Sequence, residues 1–160
     1  MRIHLGAVGR LKAGPERKLA ELYLERAATL GRSAGISSVS VAEIVESRAA
    51  TADLRMADEA ARLRPSLADD TITIALDAAG RDITSEEFAA LIGRWRDGGT
   101  ATLAFYIGGP DGLAPELKAR ADCRLAFGRM TWPHRLVRIM LLEQIYRSVT
   151  ILVNHPYHRM

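Results

Sequence analysis

The sequence predicts an α/β fold, a mainly parallel sheet flanked by helices, in one domain spanning residues 1–160. Short runs of aliphatic and β-branched residues alternate with segments of helical period, at the spacing of strand–helix–strand units. The chain has 160 residues, 48% hydrophobic and 26% charged, enough for one domain with a real core and too apolar for disorder.

The elements follow in order. "MRIHLGAV" reads as a strand. Pro15 to Leu30 reads as a helix with Leu19, Leu22, Tyr23, Ala27 and Leu30 on one face. "ISSVSVAEIV" returns to strand, and Thr51 caps a helix running toward Leu63, stopped with the help of Pro65. "TITIALD" is a buried strand. Thr84 and Glu87 form a capping box before "FAALIGRW", and Gly98-Gly99 closes that helix. "ATLAFYI" is the next strand, Ala114 to Ala121 a short helix and "CRLAF" a brief strand. Arg135 to Val153 is a long helix, apolar over most of its circumference, hence buried or in a subunit interface.

Charge and composition narrow the function classes. The net charge is only +3, but residues 124–160 hold 6 Arg against Glu143 alone, while residues 1–123 hold 16 Lys/Arg against 18 Asp/Glu. A basic end points to an anionic partner such as RNA, weighed against a merely solvated face. Arg138, Glu143 and Arg147 inside the longest apolar stretch argue against a membrane span. The one cysteine, Cys123, allows no internal disulfide, and the N-terminus does not read as a signal peptide, so the expected location is cytoplasmic.

In parallel sheets ligands bind at the carboxyl ends of strands. Three segments lie there: Asp77 to Gly80, "IGGPDGL" from Ile107, and "FGRMTWPH" from Phe127. Gly108 and Gly109 permit close approach to a ligand, or simply shape a tight turn. Trp132 is a stacking platform or a cover for the core. His134 is a general base, an RNA contact or a helix-start residue. Gly9 and Gly14 have P-loop spacing, but Pro15 stands where the lysine belongs, and no G-x-G-x-x-G follows the first strand. A nucleotide-dependent enzyme of flavodoxin-like build is therefore disfavoured.

The chain closes on "ILVNHPYHRM". Asn154 can end the helix in the left-handed region, and Pro156 keeps His155 out of helical geometry. With no cysteine or acid beside it, a zinc site there lacks ligands, and no metal is expected. Tyr157, His158 and Arg159 are expected to project as a short extended arm, with Arg and His suited to phosphate and Tyr to base stacking.

"NHPYHR" behind "PHRLVRIMLLEQIYR", with "LDAAGRDITSEEFA", "IGGPDGL" and "AVGRLKAG" in the same order and spacing, resembles the bacterial large-subunit ribosomal RNA methyltransferase H family of the SPOUT superfamily. The resemblance spans essentially the whole chain. It implies a C-terminal trefoil knot, a homodimer, S-adenosyl-L-methionine as cofactor, and methylation of N3 of a pseudouridine in 23S ribosomal RNA on the assembled ribosome. It assigns cofactor contacts to Leu76, Gly108 and the run Phe127, Gly128, Arg129, Met130, Thr131 and Trp132. The chain departs from the family's pattern at Gly128, Arg129 and Trp132.

An imide nitrogen must lose its proton to attack a methyl donor, so the chemistry needs a base or a stabilised anion. His134, His155, Tyr157 and His158 are the candidates, with Arg135, Arg138 and Arg159 as RNA contacts. A composite site, with the pocket of one subunit and the tail of the other, is one expectation. A non-catalytic RNA- or ribosome-binding module on the same fold is the alternative.

Overall fold

The computed structural model describes residues 1–63 and 70–159, and of His158 and Arg159 the backbone only. Its strands are β1 (Arg2–Val8), β2 (Ser38–Ile44), β3 (Thr71–Asp82), β4 (Thr102–Ile107) and β5 (Cys123–Ala126). Its helices are α1 (Pro15–Gly31), α2 (Ala52–Leu63), α3 (Ser85–Asp97), α4 (Pro115–Arg120) and α5 (His134–Leu152), with a 3-10 turn at Pro156–Arg159. All strand pairs are parallel, in the order β2-β1-β4-β3-β5. Pro65, expected to help stop α2, lies outside the described residues.

β4 is buried at every position, as its unbroken apolar run requires of a strand covered on both faces. α5 packs against α1 and α3 on one face of the sheet. Its Ile139, Leu142, Ile145 and Val149 join Ile3, Leu5, Phe105 and Phe88 in the larger core. Leu63, Leu113 and Leu117 cover Val8, Ala104 and Tyr106 in a smaller core on the other face. The capping box of α3 is formed: the Glu87 amide donates to Thr84 Oγ1 at 3.2 Å, and the Thr84 amide to Glu87 Oε2 at 2.8 Å.

Two expectations change here. α1 buries Ala20, Ala27 and Gly31, with Tyr23, Leu24 and Leu30 packed beside them, whereas Leu19 and Leu22 are 41% and 39% exposed. The helix is rotated so that small residues lie on its buried side, with the Tyr23 ring meeting Tyr146 of α5.

The segment Asp77–Gly80 is a bulge inside β3, not a loop after it. Leu76 and Arg81 both stand opposite Leu125 of β5, and pairing resumes at Asp82↔Ala126. Gly80 makes this possible, because a Cβ there would lie 2.6 Å from the Leu125 carbonyl carbon. From β5, at the sheet edge, the chain crosses back over the ends of β3 and β4 to start α5 beside β1. That path is compatible with the trefoil threading the resemblance implies. No helix among the described residues is long and apolar enough to cross a membrane.

Candidate functional site

One cleft opens at the carboxyl ends of β3, β4 and β5, and all three segments singled out in the sequence line it. Leu76 and Asp77 come from β3, Gly108 from the turn after β4, and Phe127, Gly128, Met130, Thr131 and Trp132 from the segment between β5 and α5. His134, the first residue of α5, closes one side. Arg129 stands between Gly128 and Met130 of the lining, exposed and not itself part of it.

The turn after β4 is held by its own backbone. Gly112 donates its amide to the Gly109 carbonyl at 3.0 Å, and Asp111 pairs with Arg55 at 2.7 Å. A Cβ on Gly108 would lie 2.3 Å from the Gly112 carbonyl carbon, so the glycine is required by the turn itself, and the cleft gains a bare backbone wall.

The Phe127–Trp132 segment is fastened at two points. The Trp132 indole donates to the Phe127 carbonyl at 2.9 Å, and the Gly128 amide donates to Asp82 Oδ1 at 3.1 Å. Trp132 is thus neither a buried core residue nor a free platform. It is 39% exposed and ties its own loop shut. Asp82 escaped the sequence reading because only the β3 bulge brings it beside β5. Asp77 lies in the first of the three segments, with no role given to its side chain there. Its carboxylate, 14% exposed in the cleft wall, stands 3.8 Å from Arg124 and 4.0 Å from Lys118.

His134 Nε2 lies 3.9 Å from Glu46 Oε1. Burial pushes the imidazole pKa below its ordinary value, and the Glu46 charge only partly opposes this. The ring is therefore neutral at neutral pH and able to accept a proton. Arg135 is exposed on the next position of α5.

Arg138 is not an RNA contact. Its side chain is 1% exposed, and its guanidinium donates to the Val8 carbonyl (3.1 Å), the Gly9 carbonyl (2.8 Å) and the Glu43 carboxylate. Periodicity counts it as a charge breaking an apolar helix. The fold uses it to tie α5 to the ends of β1 and β2.

The tail is not an extended arm. Asn154, at φ 54°, donates its amide to Ile151 O, and the His155 amide donates to Thr150 O at 2.8 Å. These are the paired bonds of a Schellman ending, which turns the chain back toward the helix it has left. His155 is exposed, its Nδ1 accepting from the Tyr157 amide at 3.2 Å. The Tyr157 ring sits 4.6 Å from the Tyr146 ring and 5.1 Å from the Arg147 guanidinium carbon, and its hydroxyl donates to Glu143 at 3.2 Å. Burial, with hydrogen bonding to Tyr23 and the Glu143 charge, raises the phenol pKa, so Tyr157 keeps its proton and does not serve as a base in this arrangement. Glu143 stands nine residues past His134 in α5, so the ring is docked about 13 Å along the helix from the cleft edge. His158 and Arg159 fall in the 3-10 turn, and roles for their side chains lie outside the described residues.

The chain is similar along its length to proteins called "Ribosomal RNA large subunit methyltransferase H". The one from Bradyrhizobium sp. (strain ORS 278) is 54% identical over 159 residues, 99% of this chain and 98% of its own. The one from Sinorhizobium fredii is 55% identical over 159 residues, 99% of both. Among solved structures, a probable methyltransferase from Bordetella pertussis shares the fold at 13% identity, with a TM-score of 0.50 over 92% of this chain and 95% of that one. The family model described as "Predicted SPOUT methyltransferase" matches residues 1–158. With a whole-length match to the model and relatives above half identity, the chain belongs to the SPOUT methyltransferase family.

Proposed function

We propose that this chain, as one domain, is an S-adenosyl-L-methionine-dependent methyltransferase of large-subunit ribosomal RNA. It methylates N3 of a pseudouridine in 23S ribosomal RNA on the assembled ribosome, in the cytoplasm and as a homodimer. The observation that carries the reading is the convergence of segments 76–78, 107–112 and 125–134 on one cleft, in a chain related over its whole length to ribosomal RNA methyltransferases.

The cleft fits the cofactor chemically. Leu76, Ile107 and Val137 offer apolar surface to a purine, glycine backbone at 108 and 128 admits close approach, and Asp77 places a carboxylate beside a cationic ligand. When bound, the cofactor supplies an activated methyl group on a sulfonium. Asp82 and Trp132 hold the 127–132 loop in place, so less ordering remains to be done on binding. Neutral His134 at the cleft edge would take the imide proton.

The tail supports a composite site. As folded, the tail docks Tyr157 against Glu143, about 13 Å along α5 from His134, and so stops short of its own cleft. A second copy of the chain can receive it instead.

Incubating the protein with labelled S-adenosyl-L-methionine and ribosomes from a strain lacking the modification tests the function, with the labelled base mapped afterwards. Label at N3 of one pseudouridine is expected. A protein that binds ribosomes but shows no cofactor binding by calorimetry would instead be the non-catalytic ribosome-binding module. Trp132→Phe, which keeps an aromatic ring and removes the N–H, is expected to lose about 1 kcal/mol. Calorimetry should read this as cofactor affinity weakened roughly fivefold. Unchanged affinity would mean that the Trp132–Phe127 bond does not order the loop.

A further inference from the structure

Counted along the sequence, basic charge belongs to residues 124–160. Folded, the chain adds to it from the other end. A Cβ on Gly9 would lie 3.2 Å from His134 Nε2, and Arg138 donates to both the Val8 and the Gly9 carbonyls. The segment that follows Gly9, Arg10-Leu11-Lys12, therefore leaves β1 against the first turns of α5, beside the cleft that His134 lines.

That segment is anchored, not loose. Leu11 is 6% exposed in the larger core, and its amide donates to Glu43 Oε1 at 3.1 Å, on the same carboxylate that receives Arg138. With Leu11 pinned from both side chain and backbone, Arg10 and Lys12 flank it and remain exposed. Arg129 and Arg135 are exposed on the segment that leads into α5. Among the described residues none of these four is in an ion pair, in contrast to Arg17, Arg55, Arg62 and Arg147. Of the nearby acids, Glu43 is engaged by Arg138 and Leu11, and Glu46 lies at His134.

We propose that Arg10 and Lys12, together with Arg129 and Arg135, form a single phosphate-binding surface that holds the RNA backbone on either side of the nucleotide entering the cleft. The proposal rests on RNA being the substrate. Guanidinium and ammonium groups suit phosphate oxygens. Because Leu11 is already fixed, little ordering is lost when Arg10 and Lys12 engage. With a net charge of only +3, the protein has no large general attraction for RNA, so a local surface must supply the grip.

The test compares wild type, R10A/K12A and the charge-keeping R10K/K12R on ribosomes lacking the modification. Methylation kinetics and ribosome co-sedimentation are read in the same samples over a salt series. For R10A/K12A, KM for ribosomes is expected to rise about tenfold and the salt slope of log affinity to flatten by about 1.5 to 2, the loss of two phosphate contacts. Cofactor affinity and melting temperature should stay at wild-type values, and R10K/K12R should restore binding. Wild-type KM, sedimentation and salt slope in R10A/K12A would overturn the surface. Wild-type protein that sediments with ribosomes and transfers no methyl group would overturn the functional reading alone, since sedimentation of the variants still decides the surface.

Discussion

Arg138→Ala is expected to lose about 3–5 kcal/mol of folding stability, because removing one partner leaves the other groups of a buried polar cluster unpaired. The groups left are the Glu43 carboxylate and the Val8 and Gly9 carbonyls, at the point where α5 meets the ends of β1 and β2. Lysine should rescue little, since a single ammonium cannot reproduce the fork that reaches three acceptors. Urea denaturation measures the loss. A drop below about 1 kcal/mol would show that the guanidinium is not a structural tie, on the usual scale for exposed pairs.

Deleting residues 154–160 is expected to abolish methylation while sparing cofactor binding. Among the described residues the cleft draws none from the tail, so calorimetry should find wild-type affinity for S-adenosyl-L-methionine. The deletion also removes the Tyr157 ring from Tyr146 and its bond to Glu143, so a melting temperature a few degrees lower is expected. Methylation at the wild-type rate by the truncated protein would refute a role for the tail. Mixing the truncated protein with a cleft variant such as G108A tests whether the tail works across a dimer. The composite site predicts that mixed dimers regain activity, and no recovery despite mixed dimers forming would sink it. Because G108A places a Cβ 2.3 Å from backbone, its folding must be checked by its melting curve, with Leu76→Asp as the second cleft variant.

Much of this was legible because it is local. The capping box at Thr84 and Glu87, the left-handed Asn154 and the strand β4 are each written within a few neighbouring residues, so period and turn chemistry found them. The three cleft segments were legible too, since parallel strands present their carboxyl ends to ligands whatever the details. The β3 bulge was not, because it depends on Gly80 meeting the backbone of Leu125, 45 positions away. Nor was the docking of the tail. Asn154 announces a reversal, but only the position of Tyr146 and Glu143 on α5 says where Tyr157 comes to rest.

By itself the sequence determined the order and type of the elements, the edge of the sheet where a ligand sits and, through its terminal motif, the family. What each charge does was decided by tertiary structure alone. Arg138 and Arg135 are three positions apart on one helix, yet one is buried against Glu43, 95 residues away, and the other faces solvent. Arg10 and Lys12, at the opposite end of the chain, join the basic surface because β1 ends beside the start of α5. Periodicity records which way a side chain points from its own element. Whether it then meets water, a carboxylate or a phosphate depends on what the rest of the chain places in front of it.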